Sequence, residues 1–162
     1  MDTGEILYNQ VEKTSPSAPL VTGTIGLMFS INPCLSVDEV NSIIKLSATN
    51  IDFIKANAPF KGMYGAGSLH TGRAVKMSYD MLQPDSYTMI ENQQFSRWNL
   101  NLDAAHKIKI RNQRFTDSVQ VHFTAKNEIL IENETVLLPS ENGEMILTID
   151  PEATYNCKEI KE

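Results

Sequence analysis

Cysteine, histidine and aromatic side chains are scarce in this chain of 162 residues, which has two Cys, three His and 7% Phe, Trp and Tyr. A zinc site wants about four clustered Cys, His or carboxylate ligands. Neither a C-x-x-C nor an H-x-x-x-H spacing occurs, so no metal is expected. Cys34 and Cys157 lie near opposite ends and are read as free, partly buried thiols, with a bridge as the alternative. A long hydrophobic run is also missing. The most apolar window, Pro19 to Leu35, is broken by Thr22, Gly23, Thr24, Gly26, Ser30, Asn32 and Pro33, too polar for a membrane span of about 20 apolar residues. The start carries Asp2, Glu5 and Glu12 against Lys13, the reverse of the basic opening of a secretory signal. Synthesis in the cytoplasm without a signal peptide is expected, with an assembled particle or surface structure as the destination.

Motifs for catalysis are equally sparse. The glycine-rich stretch Tyr64 to Arg73 has neither the phosphate-loop spacing nor the dinucleotide fingerprint. No G-x-S-x-G elbow marks a nucleophile for His70, His106 or His122 to activate. The chain is therefore expected to be non-enzymatic and to take no cofactor. Asn133-Glu134-Thr135 meets the glycosylation sequon but is read as an ordinary turn.

What is present is a chain of single-domain length with 41% hydrophobic residues and a net charge of −6. Residues 1–18 read as an extended arm, because Pro16 and Pro19 restrict the backbone around them. Ile6, Leu7 and Tyr8 are its candidate anchor. Residues 19–162 read as one domain. Within it, Ile25, Leu27, Phe29 and Ile31 alternate like a strand. Ser36 and Glu39 form a capping box opening a helix over 37–57, with Val37, Val40, Ile44, Ala48 and Ile51 as its apolar stripe. Residues 60–73 read as a mobile loop rich in glycine.

From Ala74 onward the pattern is β: Val75, Met77, Tyr79 and Met81 alternate, and short apolar runs recur to Ile149. Trp98 is placed in the core with Leu100 and Leu102. Asn142-Gly143 between two such runs reads as a hairpin. No repeat of solenoid type is expected. The fold expected is a mainly β, antiparallel sandwich, jelly-roll or immunoglobulin-like, with one amphipathic helix near the N-terminus.

Charge is unevenly spread. Residues 55–125 hold nine bases and five acids, while residues 126–162 hold three bases and nine acids. Lys107, Lys109 and Arg111 project from one face of one strand, and Glu128 and Glu132 flank Ile129-Leu130-Ile131 in the opposite sense. These faces either pair within the chain or join neighbouring subunits. Nucleic acid is not an expected partner, since acidic flanks repel phosphate and no aromatics interleave the cations. The function expected is a structural, self-assembling subunit of coat, tail or appendage type, a homo-oligomer or part of a larger assembly. Its contacts would be the arm (Ile6, Leu7, Tyr8), the loop (Tyr64, His70, Arg73) and the charged faces (Lys107, Lys109, Arg111, Glu128, Glu132). The alternative is a module that binds a glycan or a membrane surface.

Overall fold

A computed structural model describes residues 14–153. Three helices come first: α1 (Ser17–Ile31), α2 (Val37–Ser47) and, after a 3-10 turn at Lys55–Phe60, α3 (Thr71–Asp80). Nine strands follow: β1 (Thr88–Glu91), β2 (Gln94–Phe95), β3 (Asn99–Ala104), β4 (Lys107–Arg111), β5 (Arg114–Asp117), β6 (Gln120–Ala125), β7 (Glu128–Ile131), β8 (Val136–Pro139) and β9 (Glu144–Ile149).

The expected antiparallel sandwich is wrong. The strands form three all-parallel sheets of order β1-β4-β7, β2-β5-β8 and β3-β6-β9. Each turn of chain contributes one strand to each sheet, giving a three-coil β-solenoid. Thr88 aligns with Ile108 and Ile108 with Ile129, steps of 20 and 21 residues. Gln120 aligns with Glu144, a step of 24. Alternation reports only that one face of a strand is buried, not which way its neighbour runs.

Side chains stack in columns up the axis. Ile90, Ile110 and Ile131 form one, Leu102, Phe123 and Leu147 another. Phe95 stacks on Phe115 with ring centroids 6.0 Å apart, and Phe115 meets Phe123 edge-on at 6.0 Å. The corners stack too. Asn92 and Asn112 both take left-handed backbone (φ 63° and 43°), which Asn tolerates well. Asn112 Nδ2 donates to Asn92 Oδ1 at 2.8 Å, and the buried Gln113 accepts from the Gln93 N–H at 3.1 Å. The expected hairpin at Asn142-Gly143 is another such corner. A Cβ on Gly143 would lie 2.2 Å from Asp117 O, so only glycine lets the third coil sit on the second.

The N-terminal half departs from expectation in two further places. The segment read as a strand, Ile25 to Ile31, belongs to α1; a short apolar run fits either period. Pro19 does not stop that helix, because it stands in the first turn, where backbone N–H groups have no intrahelical partner. The alternating Val75 to Met81 is mostly α3, which buries Ala74, Met77, Ser78 and Met81 at three- and four-residue steps.

Helix α2 has its capping box, Ser36 Oγ accepting from Glu39 N and Glu39 Oε2 from Ser36 N. It stops at Ser47 rather than 57. Its buried face is Val40, Ile43 and Leu46, whereas Val37 is 81% exposed. Cys34 is disulfide-bonded, where a free thiol was expected.

These helices close one end of the solenoid. Helix α2 lies on β3 and β1, α3 on β1, and α1 on α3. Backbone and side-chain groups along the first coil find partners there. Asn101 N donates to Ser42 Oγ at 2.8 Å, Ala105 N to Met81 O at 3.0 Å, and Gln93 Nε2 to Ala48 O.

Because columns hold the coils together, the central coil should be most sensitive to truncation. Phe115→Ala is expected to cost about 3–5 kcal/mol in urea unfolding, the range for a buried aromatic reduced to alanine. Leu137→Ala, one coil further and half-buried, should cost less. Equal losses would contradict the column picture.

Candidate functional site

The residues singled out by sequence do not converge on one centre. Ile6, Leu7 and Tyr8 lie outside the described residues. The loop residues are largely engaged in holding the helical layer. His70 caps α3, its Nδ1 accepting from Arg73 N at 3.1 Å. Arg73 Nη2 donates to Ala48 O at 2.6 Å and Thr49 Oγ1 at 3.0 Å. Tyr64 meets Phe60 edge-on at 6.3 Å. Ser68 bridges to Thr49, and Gly67 (φ +119°) makes the approach possible, since a Cβ there would lie 2.1 Å from Thr49 O.

Beside this loop is a cleft of about 400 Å³ lined by Asn50, Asp52, Lys61, Arg73, Asn92 and their neighbours. Its walls offer hydrogen-bond donors and acceptors, with Asp52, Lys61 and Arg73 as their charged groups. Among the described residues no three His, Cys, Asp or Glu are grouped to hold a metal. No helix among them is long and apolar enough to cross a membrane.

The charged faces meet inside the chain. Strand β4 lies between β1 and β7, with Lys107 aligned to Glu128. Lys109 Nζ bonds Glu132 Oε1 at 3.0 Å, and Arg111 Nε bonds Glu91 Oε2 at 2.5 Å. Glu91 raises the pKa of Arg111, chiefly by that hydrogen bond. Lys109 and Lys107 also stand over the Tyr87 ring, 4.5 and 5.5 Å from its centroid. On this face the basic Lys107, Lys109 and Arg111 of coil two therefore lie between Glu91 of coil one and Glu128 and Glu132 of coil three. Trp98, placed in the core by sequence, is only half-buried, with Lys45 5.0 Å and Arg97 5.3 Å from its ring centre.

Two surfaces went unread in the sequence. One is helix α1. It has no charged residue, yet it buries only Thr24 and Met28 and leaves Leu20 65% and Leu27 52% exposed, with Phe29 and Ile31 beside them. A helix apolar on every side is ordinarily enclosed. The other is the edge of the third coil, on which no strand pairs among the described residues. Its signal was an internal repeat: Ile90-Glu91-Asn92-Gln93-Gln94-Phe95 recurs as Ile110-Arg111-Asn112-Gln113-Arg114-Phe115 and, loosely, as Ile131-Glu132-Asn133-Glu134-Thr135-Val136. No protein-family model, curated protein or solved structure matches the chain.

The charge ladder has a titratable reporter. Tyr87 Oη donates to Glu128 Oε2 at 2.8 Å. That bond, with the nearby carboxylates, raises the phenol pKa, because a phenolate would face negative charge. The stability this bond gives is present below the ordinary value of about 10 and is lost as pH rises through the raised value. In Glu128→Ala, the Tyr87 ring resonance followed by NMR should titrate at lower pH than in the parent. An unchanged midpoint would refute the pairing.

Proposed function

We propose that the chain is a structural, non-catalytic subunit that associates with a second copy of itself through helix α1. The observation that carries the reading is the exposed apolar surface of that helix. At roughly 25 cal/mol per Å², hiding Leu20, Leu27, Phe29 and Ile31 is a substantial drive for association. The surface carries no charge, so pairing it with itself about a two-fold axis brings no like charges together. Gly23 and Gly26 have nothing within 4 Å of where a Cβ would stand, which leaves room for a second helix to come close.

The β-solenoid is a suitable rigid body for a coat, tail or appendage component, and it replaces the sandwich in that role. The Cys34 bridge fits such a particle or surface structure better than the reducing cytosol. With Lys109 and Arg111 paired internally, this reading rests on α1 and not on opposed charged faces.

Sedimentation of the full chain tests it. The parent should be a dimer or larger. A Leu20→Glu, Leu27→Glu double variant should be monomeric with an unchanged circular dichroism spectrum, because both positions are exposed in the monomer. A parent that stays monomeric at every concentration overturns the proposal.

One observation favours a membrane-surface reading instead. Phe53, Phe60 and Met63 are exposed around the 3-10 turn, close in sequence to Lys55 and Lys61, a combination suited to an anionic bilayer. Flotation with vesicles containing anionic lipid, abolished by Phe53→Ser with Met63→Ser, would support it. Failure to float would discard it.

A further inference from the structure

The two ends of the solenoid are finished differently. Helices cover the first coil. At the other end, β7, β8 and β9 each have a hydrogen-bonded strand on one side only among the described residues. An unpaired strand edge is a template for another strand. The core columns also end there. Ile131 is 45% and Ile149 53% exposed, while Ile129, Leu137, Met145 and Leu147 are half-buried. In the first two coils the residues aligned with them are buried.

Charge says what could lie on this edge. From Asn127 to Ala153 there are seven acids, Glu128, Glu132, Glu134, Glu141, Glu144, Asp150 and Glu152, and no Lys or Arg. A second copy docking its own third coil here would set carboxylate against carboxylate, which is destabilising across strands. A strand with cations alternating with apolar residues meets both needs. The molecule contains the pattern: β4 lies parallel on β7 with Ile108 on Ile129 and Ile110 on Ile131, and its cations beside Glu128 and Glu132.

We infer that the edge of the third coil, along β7, is a docking site for a protein segment of alternating Lys/Arg and aliphatic residues, added as a parallel strand. The segment would cover Ile129 and Ile131 with its apolar side chains, and its cations would extend the acid–base alternation by one rung. Its backbone would supply the hydrogen bonds and its charges the selectivity, as in other strand additions. The inference stands on a different surface from α1 and does not depend on self-association.

The test uses the full chain and a fluorescent peptide of the sequence His106 to Phe115, followed by anisotropy. Saturable binding is expected, weakened about tenfold or more when Lys107, Lys109 and Arg111 of the peptide are replaced by Glu, and weakened by salt. Ile131→Lys places an inward charge on the edge and should abolish binding, while circular dichroism stays unchanged because the side chain is already half-exposed. Absence of binding overturns the inference, as does equal binding of the acidic peptide. So does indifference to Ile131→Lys. If sedimentation shows an oligomer that survives Leu20→Glu, Leu27→Glu but is lost in Ile131→Lys, a second copy fills the edge and the basic-segment reading fails. Loss of the oligomer through α1 alone leaves this inference unaffected.

Discussion

A coil of this solenoid cannot bury its apolar face by itself, and that constraint governs the rest of the molecule. Each strand is four to six residues long, or two in β2, so an isolated coil would leave its inward side chains open to water at both ends. Stacking removes the cost by placing like on like: Ile90 on Ile110, Phe95 on Phe115, Ala104 on Ala125. Register then becomes rigidly specified, since a one-residue slip would turn Lys109 inward and Ile110 outward. The asparagine and glutamine stacks at the corners reinforce the same register with hydrogen bonds. Solenoid stability is accordingly a sum of neighbour terms, and the coil with neighbours on both sides carries most of it.

Much of what positions the surfaces was visible locally in the chain, and what was missed was directional or long-range. The capping box at Ser36 and the placement of apolar residues on one face of β3, β4 and β6 follow from side-chain chemistry within a few residues. Strand direction does not: Leu100-Asn101-Leu102 alternates the same way in a hairpin or a solenoid. The repeat was blurred because the step lengthens from 20 to 24 residues as corners take up extra residues, and because Phe95 and Phe115 are followed in the column by Leu137, not Val136. The exposed half of helix α1 is as apolar as its buried half, which erases helical periodicity and leaves an alternation that a strand would share. The same uniformity makes it a candidate contact surface. Neither α1 nor the edge of the third coil carries a catalytic motif that would mark it in the sequence.

The charges illustrate how one feature can serve structure and selectivity together. In the middle rung Arg111 bonds Glu91 of the first coil and feels Glu132 of the third, while Lys109 bonds Glu132. Single exposed pairs contribute little, about 0–1 kcal/mol. Arranged in columns, they discourage a coil from stacking on another of the same sign. The acidic third coil is thereby protected from pairing with itself, the failure to which open strand edges are prone.

End treatment follows from the same logic. The helical layer gives the first coil partners that a further strand would otherwise supply: Ser42 for the Asn101 N–H and Met81 for the Ala105 N–H. Helix packing is costly in chain length but seals backbone and apolar columns at once. The third coil, among the described residues, has no such layer, and Glu128, Glu132 and Glu144 stand along it. Ile131 and Ile149 lose contacts there that their column mates Ile110 and Ala125 keep, so this coil is the least buried part of the stack. A strand docking there would gain columns whose register is already set by two coils beneath, so the site is ordered before its partner arrives and little of the binding energy is lost to arranging it.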